Sequence, residues 1–229
     1  DGELNLSVDR YGLWSDWWRD YYLKYGRAYK PEQLFVSGPS RPLDKEKLPK
    51  ETIQPQQGSL KVLFVSEQLA APSEVIPFLS RLLEERDFTL YLKCRPYRDG
   101  FEQWLKKNRP DILEKLTILR STQESISKAD VVVGSHSSVV LEGLLQLKPM
   151  VFFWTNKWGD YFDIKSLDDG GWFFASNPEE LVAFVKKSAK TPQHILKQLQ
   201  ERFFGDPYQN GGKWVVDQAL EFAKNYGKQ

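Results

Sequence analysis

From about residue 60 to residue 175 the apolar positions gather into short, nearly continuous runs, at 60–65, 88–92, 116–119, 130–133, 150–154 and 172–174. Helix-type spacing separates several of them. Val75, Phe78, Leu79, Leu82 and Leu83 share one side of a predicted helix over 73–86, and further helices are expected at 99–108, at 137–147 and from Pro178. A strand that is apolar at every position is buried on both faces. Such strands alternating with helices predict an α/β fold, a Rossmann-like open parallel sheet with helices on both faces. Two more helices, at 192–203 and 212–226, close the chain.

The first thirty residues have a different rhythm. Leu13, Trp14, Trp17, Trp18, Tyr21, Tyr22 and Tyr25 recur at spacings of three and four, which predicts an aromatic helix ended by Gly26. A short strand at 34–37 follows, and Pro39, Pro42, Pro49 and Pro55 then mark a stretch without apolar period, read as a linker. The expected organisation is an aromatic helix, strand and linker over 1–59 and a Rossmann-like domain over 60–190. Helices over 191–229 would pack on that domain or on a missing N-terminal half.

Composition narrows the function classes. The net charge of +1 over 229 residues gives a nucleic-acid ligand no electrostatic footprint. The single cysteine, Cys94, excludes an internal disulfide and fits a reducing compartment. No apolar run approaches the roughly 18 residues of a membrane-spanning helix. The expected location is the cytoplasm, or the periphery of the inner membrane face. The chain opens on Asp1 rather than Met, so an upstream segment is expected. Eight tryptophans suit either a sugar-binding or membrane-near surface, or a core.

The stretch Gly134-Ser135-His136-Ser137-Ser138 carries the candidate chemistry. A buried strand ends at Gly134, and small polar residues turn straight into a helix. Ligands of open parallel sheets bind at the C-terminal ends of the strands. The free N–H groups of a helix start favour an anion such as phosphate. On this reading Gly134 lets a ligand approach the backbone, and Ser137 and Ser138 hold phosphate; the plainer reading makes the serines an N-cap. Glu142 is the only charge on a helix otherwise lined by Val139, Val140, Leu141, Leu144, Leu145 and Leu147. A charge there is costly unless exposed or paired. One turn below a bound phosphate its carboxylate can accept two ribose hydroxyls. His136 is either a phosphate contact, an acid or base, or a bystander. Lys93 and Arg95 end the strand at 88–92 and read as contacts to a donor phosphate or an acidic sugar, or as two solvated charges. Glu67 and Gln68, after the first strand, are further substrate-binding candidates, and the loop at 155–161, at the same edge, either touches the base or sugar of a donor or is an ordinary polar loop.

The segment from Val140 through Glu142, Gly143 and Lys148-Pro149 to Val151 resembles the C-terminal-domain signature of GT-B glycosyltransferases, in which a helix with a ribose-binding Glu leads by a Lys-Pro turn into the next strand. It is more similar still to bacterial capsule-type transferases, wall-polymer glycerophosphotransferases and related UDP-sugar epimerases, where a Ser-Ser or Ser-Thr pair opens the helix. The resemblance covers about residues 60–190. It implies a nucleotide-activated donor, with Ser137 and Ser138 at its phosphate and Glu142 at its ribose, a glycan or lipid-linked acceptor, and a missing or separate N-terminal half. Retaining members often carry an acid eight residues before the ribose Glu; here that position is Gly134, which favours inversion. The Lys-x-His-Pro of those families stands here as Lys93-Cys94-Arg95-Pro96, and Arg gives a fixed fork for phosphate but no base. The N-terminal aromatic helix, strand and linker resemble the segment joining the two halves. No cofactor and no metal are expected: the chain holds two His and one Cys, and no Asp-x-Asp motif. No catalytic base is named, because GT-B enzymes usually place it on the other half. A UDP-sugar 2-epimerase-like enzyme, and a non-catalytic nucleotide-binding or interaction module, are the alternatives.

Overall fold

A computed structural model of the protein describes residues 8–26, 29–43, 58–66, 71–95, 100–167 and 173–226. In chain order the elements are β1 (Tyr11–Leu13), α1 (Asp16–Tyr25), β2 (Leu34–Val36), β3 (Leu60–Val65), α2 (Pro72–Leu83), β4 (Phe88–Lys93), α3 (Phe101–Asn108), α4 (Pro110–Leu113), β5 (Thr117–Leu119), α5 (Thr122–Lys128), β6 (Val131–Gly134), α6 (Ser138–Glu142), β7 (Met150–Phe153), β8 (Phe174–Ala175), α7 (Pro178–Ser188), α8 (Gln193–Phe204) and α9 (Gly211–Tyr226). They form two compact units, Glu51–Leu196 and the combination of Asp1–Lys50 with Lys197–Gln229. The two chain ends thus belong to one unit, and the boundary falls inside α8. No helix among the described residues is long and apolar enough to cross a membrane.

The larger unit holds a six-stranded sheet in the order β5-β4-β3-β6-β7-β8. Every pairing is parallel. This is the order of a dinucleotide-binding Rossmann sheet, reversing between the first strand and the fourth, here β3 and β6. The apolar runs are buried on both sides. Val62, Phe64, Val131, Val133, Val151 and Phe153 share one core with Val75, Phe78, Leu79 and Leu82 of α2 and Leu181, Val182 and Val185 of α7. The intervening residues Leu63, Val65, Val132 and Phe152 are equally buried and, by the two-residue period of a strand, face the other way. There Phe162 packs on Phe152, with ring centroids 5.4 Å apart.

The smaller unit joins β1 and β2 in a two-stranded parallel ladder, with α1 between them in sequence. Trp18 is the buried residue of the aromatic run, with Trp14 and Trp17 half-buried beside it. The Trp18 indole N–H donates to the Phe203 carbonyl at 2.8 Å, and Trp14 stacks on Phe204 at 5.1 Å. Trp17 packs edge-on against Phe203, with ring centroids 4.8 Å apart.

Three local features depart from the sequence reading. The helix expected over 137–147 is α-helical only through Glu142 and tightens to a 3-10 turn over Gly143–Gln146. Leu147 ends it with φ 53°. Gly143 explains the tight fit: a Cβ there would stand 3.0 Å from Val132 Cγ2. The second feature is α5, Thr-Gln-Glu-Ser-Ile-Ser-Lys, which buries only Ser125 and Ile126 and so has no apolar period to read. The third is β1, three residues long with a central glycine, which gives no strand signal.

Candidate functional site

β3 and β6 are neighbours, but the chain leaves them toward opposite edges of the sheet, which opens a crevice at their C-terminal ends. Ser66 follows β3, and Ser135, His136 and Ser137 follow β6. Ser66, Ser135 and Ser137 are buried, whereas Ser138 is exposed. Ser135 Oγ lies 3.1 Å from His136 Nδ1. Ser137 is the N-cap of α6, its Oγ accepting from the Val139 N–H at 3.3 Å. At Gly134 the space of a side chain is already taken: a Cβ would meet Val140 Cγ2 at 2.6 Å and the Val65 carbonyl oxygen at 3.2 Å. The missing side chain therefore lets α6 pack onto β6 and β3. Close packing is thus one reason for a glycine at this position.

Two positive side chains from different strand ends act on this loop. Burial, and then the charges of Arg95 after β4 and Lys157 after β7, push the His136 imidazole down to about 4. An imidazole that low stays neutral at pH 7. It is a poor general acid or base there and adds no charge of its own. Arg95 and Lys157 both supply positive charge beside His136.

The segment after β7 forms the adjoining wall. Trp158 stacks on His136 with ring centroids 4.8 Å apart and 25° between planes. Tyr161 meets Trp158 edge-on at 5.5 Å, and Lys157 Nζ lies 5.0 Å from the centroid of the Trp158 ring. The wall is a tight turn in which the Thr155 carbonyl accepts from the N–H groups of Trp158 and Gly159, at 3.3 and 2.9 Å. It is fastened to α2 through Glu74, whose carboxylate accepts from the Asn156 backbone N–H at 3.2 Å and the Asn156 amide at 3.0 Å. Further on, the Asp160 carboxylate accepts from the N–H groups of Ile164 and Lys165, at 2.7 and 2.8 Å. Thr155 Oγ1 and Trp158 Nε1 are buried without a hydrogen-bond partner among the described residues. A buried polar group is normally paired, so such atoms beside a cationic loop are suited to a ligand's oxygens.

The fold thus brings Arg95, His136 and the Ser137 loop together. Lys93 is buried at the end of β4, its ammonium donating to the Cys94 carbonyl at 2.8 Å. Glu142 is half-buried at the end of α6. Glu67 and Gln68 lie outside the described residues. Lys148 precedes β7, at the edge of the sheet away from the crevice; burial lowers its pKa. Lys157, Trp158 and Thr155 are additions to the sequence-derived set. The rule that strand ends bind ligands had marked their loop but not which of its residues matter. Glu74 had no sequence signal, since its partner stands 82 positions away.

No family model and no curated sequence matches this chain. Solved structures do. The wall teichoic acid polymerase TagF soaked with CDPG superposes with a TM-score of 0.60 at 13% identity, over 96% of this chain and 58% of that one. Anabaena HepE in complex with UDP and glucose gives 0.56 at 15% identity, over 93% of this chain and 64% of that one. The glycotransferase of kitacinnamycin gives 0.57 at 15% identity, over 92% and 55%. The chain spans less than two thirds of the length of each of these structures. At such identities the likeness is one of fold, and the fold of this chain is that of the C-terminal half of a GT-B glycosyltransferase.

Proposed function

We propose that this chain binds a nucleotide-activated donor at the crevice between β3 and β6, as the donor half of an enzyme that transfers a sugar or related unit to a bacterial surface glycan. One observation carries the reading. Two cations from separate strand ends, Arg95 and Lys157, converge on the loop at the point where the strand order reverses. That arrangement favours a polyanion of pyrophosphate size over a neutral metabolite. Similar structures add support: HepE was solved with UDP and glucose, and TagF with CDPG.

In transfer, negative charge grows on the departing nucleotide phosphate. Arg95, Lys157 and the backbone N–H groups of the Ser135–Ser138 loop would stabilise it without a metal, by charges already in place before the reaction. Glu142 would take the ribose hydroxyls, and Ser137 and Ser138 would line the phosphates. His136 would pack and hydrogen-bond as a neutral ring.

Calorimetric titration of the 229-residue chain with UDP, CDP and CMP tests this. A nucleoside diphosphate should bind more tightly than the monophosphate, and binding should weaken as salt is raised, because the cations sit near solvent. Absence of binding by all three into the millimolar range defeats the proposal.

A further inference from the structure

The wall formed after β7 is built from a turn whose own hydrogen bonds fix its shape but not its place. The internal bonds all run to the Thr155 carbonyl, so they would survive if the turn swung away from the crevice. The chain enters the turn pinned by the Trp154 N–H on the Ala175 carbonyl and leaves it through Tyr161 beside His136, and two contacts hold the turn between them. On one side Trp158 stacks on His136. On the other, both donors of Asn156 reach the Glu74 carboxylate. Glu74 lies in the first turn of α2, where the helix dipole favours a negative charge, and α2 is packed into the sheet core through Val75, Phe78 and Leu79. The carboxylate is therefore a fixed anchor on a rigid element, and its two oxygens hold a backbone and a side-chain donor of one residue. Lys157 and Trp158 are the next two residues along the chain.

We propose that Glu74 is a positioning residue: through Asn156 it holds Lys157 and Trp158 against His136 and so sets the cationic wall that faces the donor's phosphates. The ligand part of this statement rests on the nucleotide-binding reading above. The positioning part does not, because it concerns the empty protein. Among the described residues the groups that face His136 are Arg95 from the end of β4, Lys157, Trp158 and Tyr161 from the wall, and Ser135 beside it. Loss of the anchor removes two of the influences that hold the imidazole low, the cover of Trp158 and the charge of Lys157.

The chain contains only two histidines, so imidazole carbon-bound protons in an NMR pH titration report His136 directly, with His194 as the internal reference. In E74A the His136 midpoint should move up toward that of a solvent-exposed imidazole. Affinity for UDP or CDP should fall by about three- to tenfold, the scale of one or two exposed hydrogen bonds. The melting temperature should stay close to wild type, since both bonds lie at the surface. E84A, at the other end of α2, is the control and should change none of these. N156D attacks the same contact from the loop side by setting two carboxylates against each other; it should shift His136 in the same direction, and E74A should add little to it. A His136 titration in E74A and N156D that overlays wild type overturns the proposal. Should wild type bind no nucleotide while His136 shifts as expected, the positioning role stands and the functional reading falls.

Discussion

The neutrality of His136 makes stability depend on pH in a specific window. In the unfolded chain the imidazole titrates near 6.5, and in the folded chain near 4. Between those values the unfolded state holds one more proton than the native state. The protein should therefore lose stability as pH falls from 6.5 toward 4, and gain nothing from this group above 6.5. Taken at face value, the shift removes about 2 kcal/mol at pH 5 and about 3.4 kcal/mol below pH 4. The ring is only half-buried and both cations lie near solvent, so about half of that is the working expectation, ~1 kcal/mol at pH 5. The assay is urea unfolding of wild type and His136→Gln at pH 7.5, 6 and 5, followed by circular dichroism. The variant loses the stack on Trp158, so its stability at any one pH is not informative; the slope between pH 7.5 and 5 is. Carboxylates held low by ion pairs, such as Glu85 by Lys186 and Arg81, and Glu102 by Arg120, contribute equally to both proteins and cancel in the comparison. Wild type should lose about 1 kcal/mol more than the variant over this range. Equal slopes would show that His136 is protonated as easily in the folded state as in water, and would remove the argument that burial and two cations converge on it.

Three further substitutions test separate parts of the site. Glu142→Gln should weaken UDP or CDP binding by about tenfold, because a carboxylate accepts ribose hydroxyls more strongly than an amide, and should leave the melting temperature nearly unchanged; a lower melting temperature with unchanged affinity would make Glu142 structural. Arg95→Ala alters an exposed side chain, so stability should change by less than about 0.5 kcal/mol, while nucleotide affinity and its salt dependence both drop; unchanged affinity in low salt would take Arg95 out of the site. Gly134→Ala forces a methyl to within 2.6 Å of Val140 Cγ2 and 3.2 Å of the Val65 carbonyl oxygen, and should cost about 1–3 kcal/mol in a urea titration; a silent substitution would refute the close-packing role.

What the sequence determined by itself was the layering. Runs such as Val62–Val65 and Val131–Gly134 have no polar position to give to solvent, so they had to become strands covered on both faces, and the helices between them had to supply the cover. The loop after β6 was legible for the same reason: a buried strand that ends in Gly134 and turns at once into a helix leaves its polar residues at a strand end. Local chemistry of that kind acts over a few neighbours and is written in the order of residues. Tertiary structure alone decided which strand ends adjoin. The order β5-β4-β3-β6-β7-β8 puts β6 beside both β3 and β7, although 65 residues separate the end of β3 from the start of β6. That adjacency brings Lys157 and Trp158 to His136, and Glu74 to Asn156. It also decided that Val140 packs into the space a side chain at Gly134 would take, since a glycine in sequence shows that space is needed but not what fills it. Hydrogen bonds and charges act over a few ångströms of space whatever the distance along the chain, so the anchoring of the site could be read only once the sheet had set its neighbours.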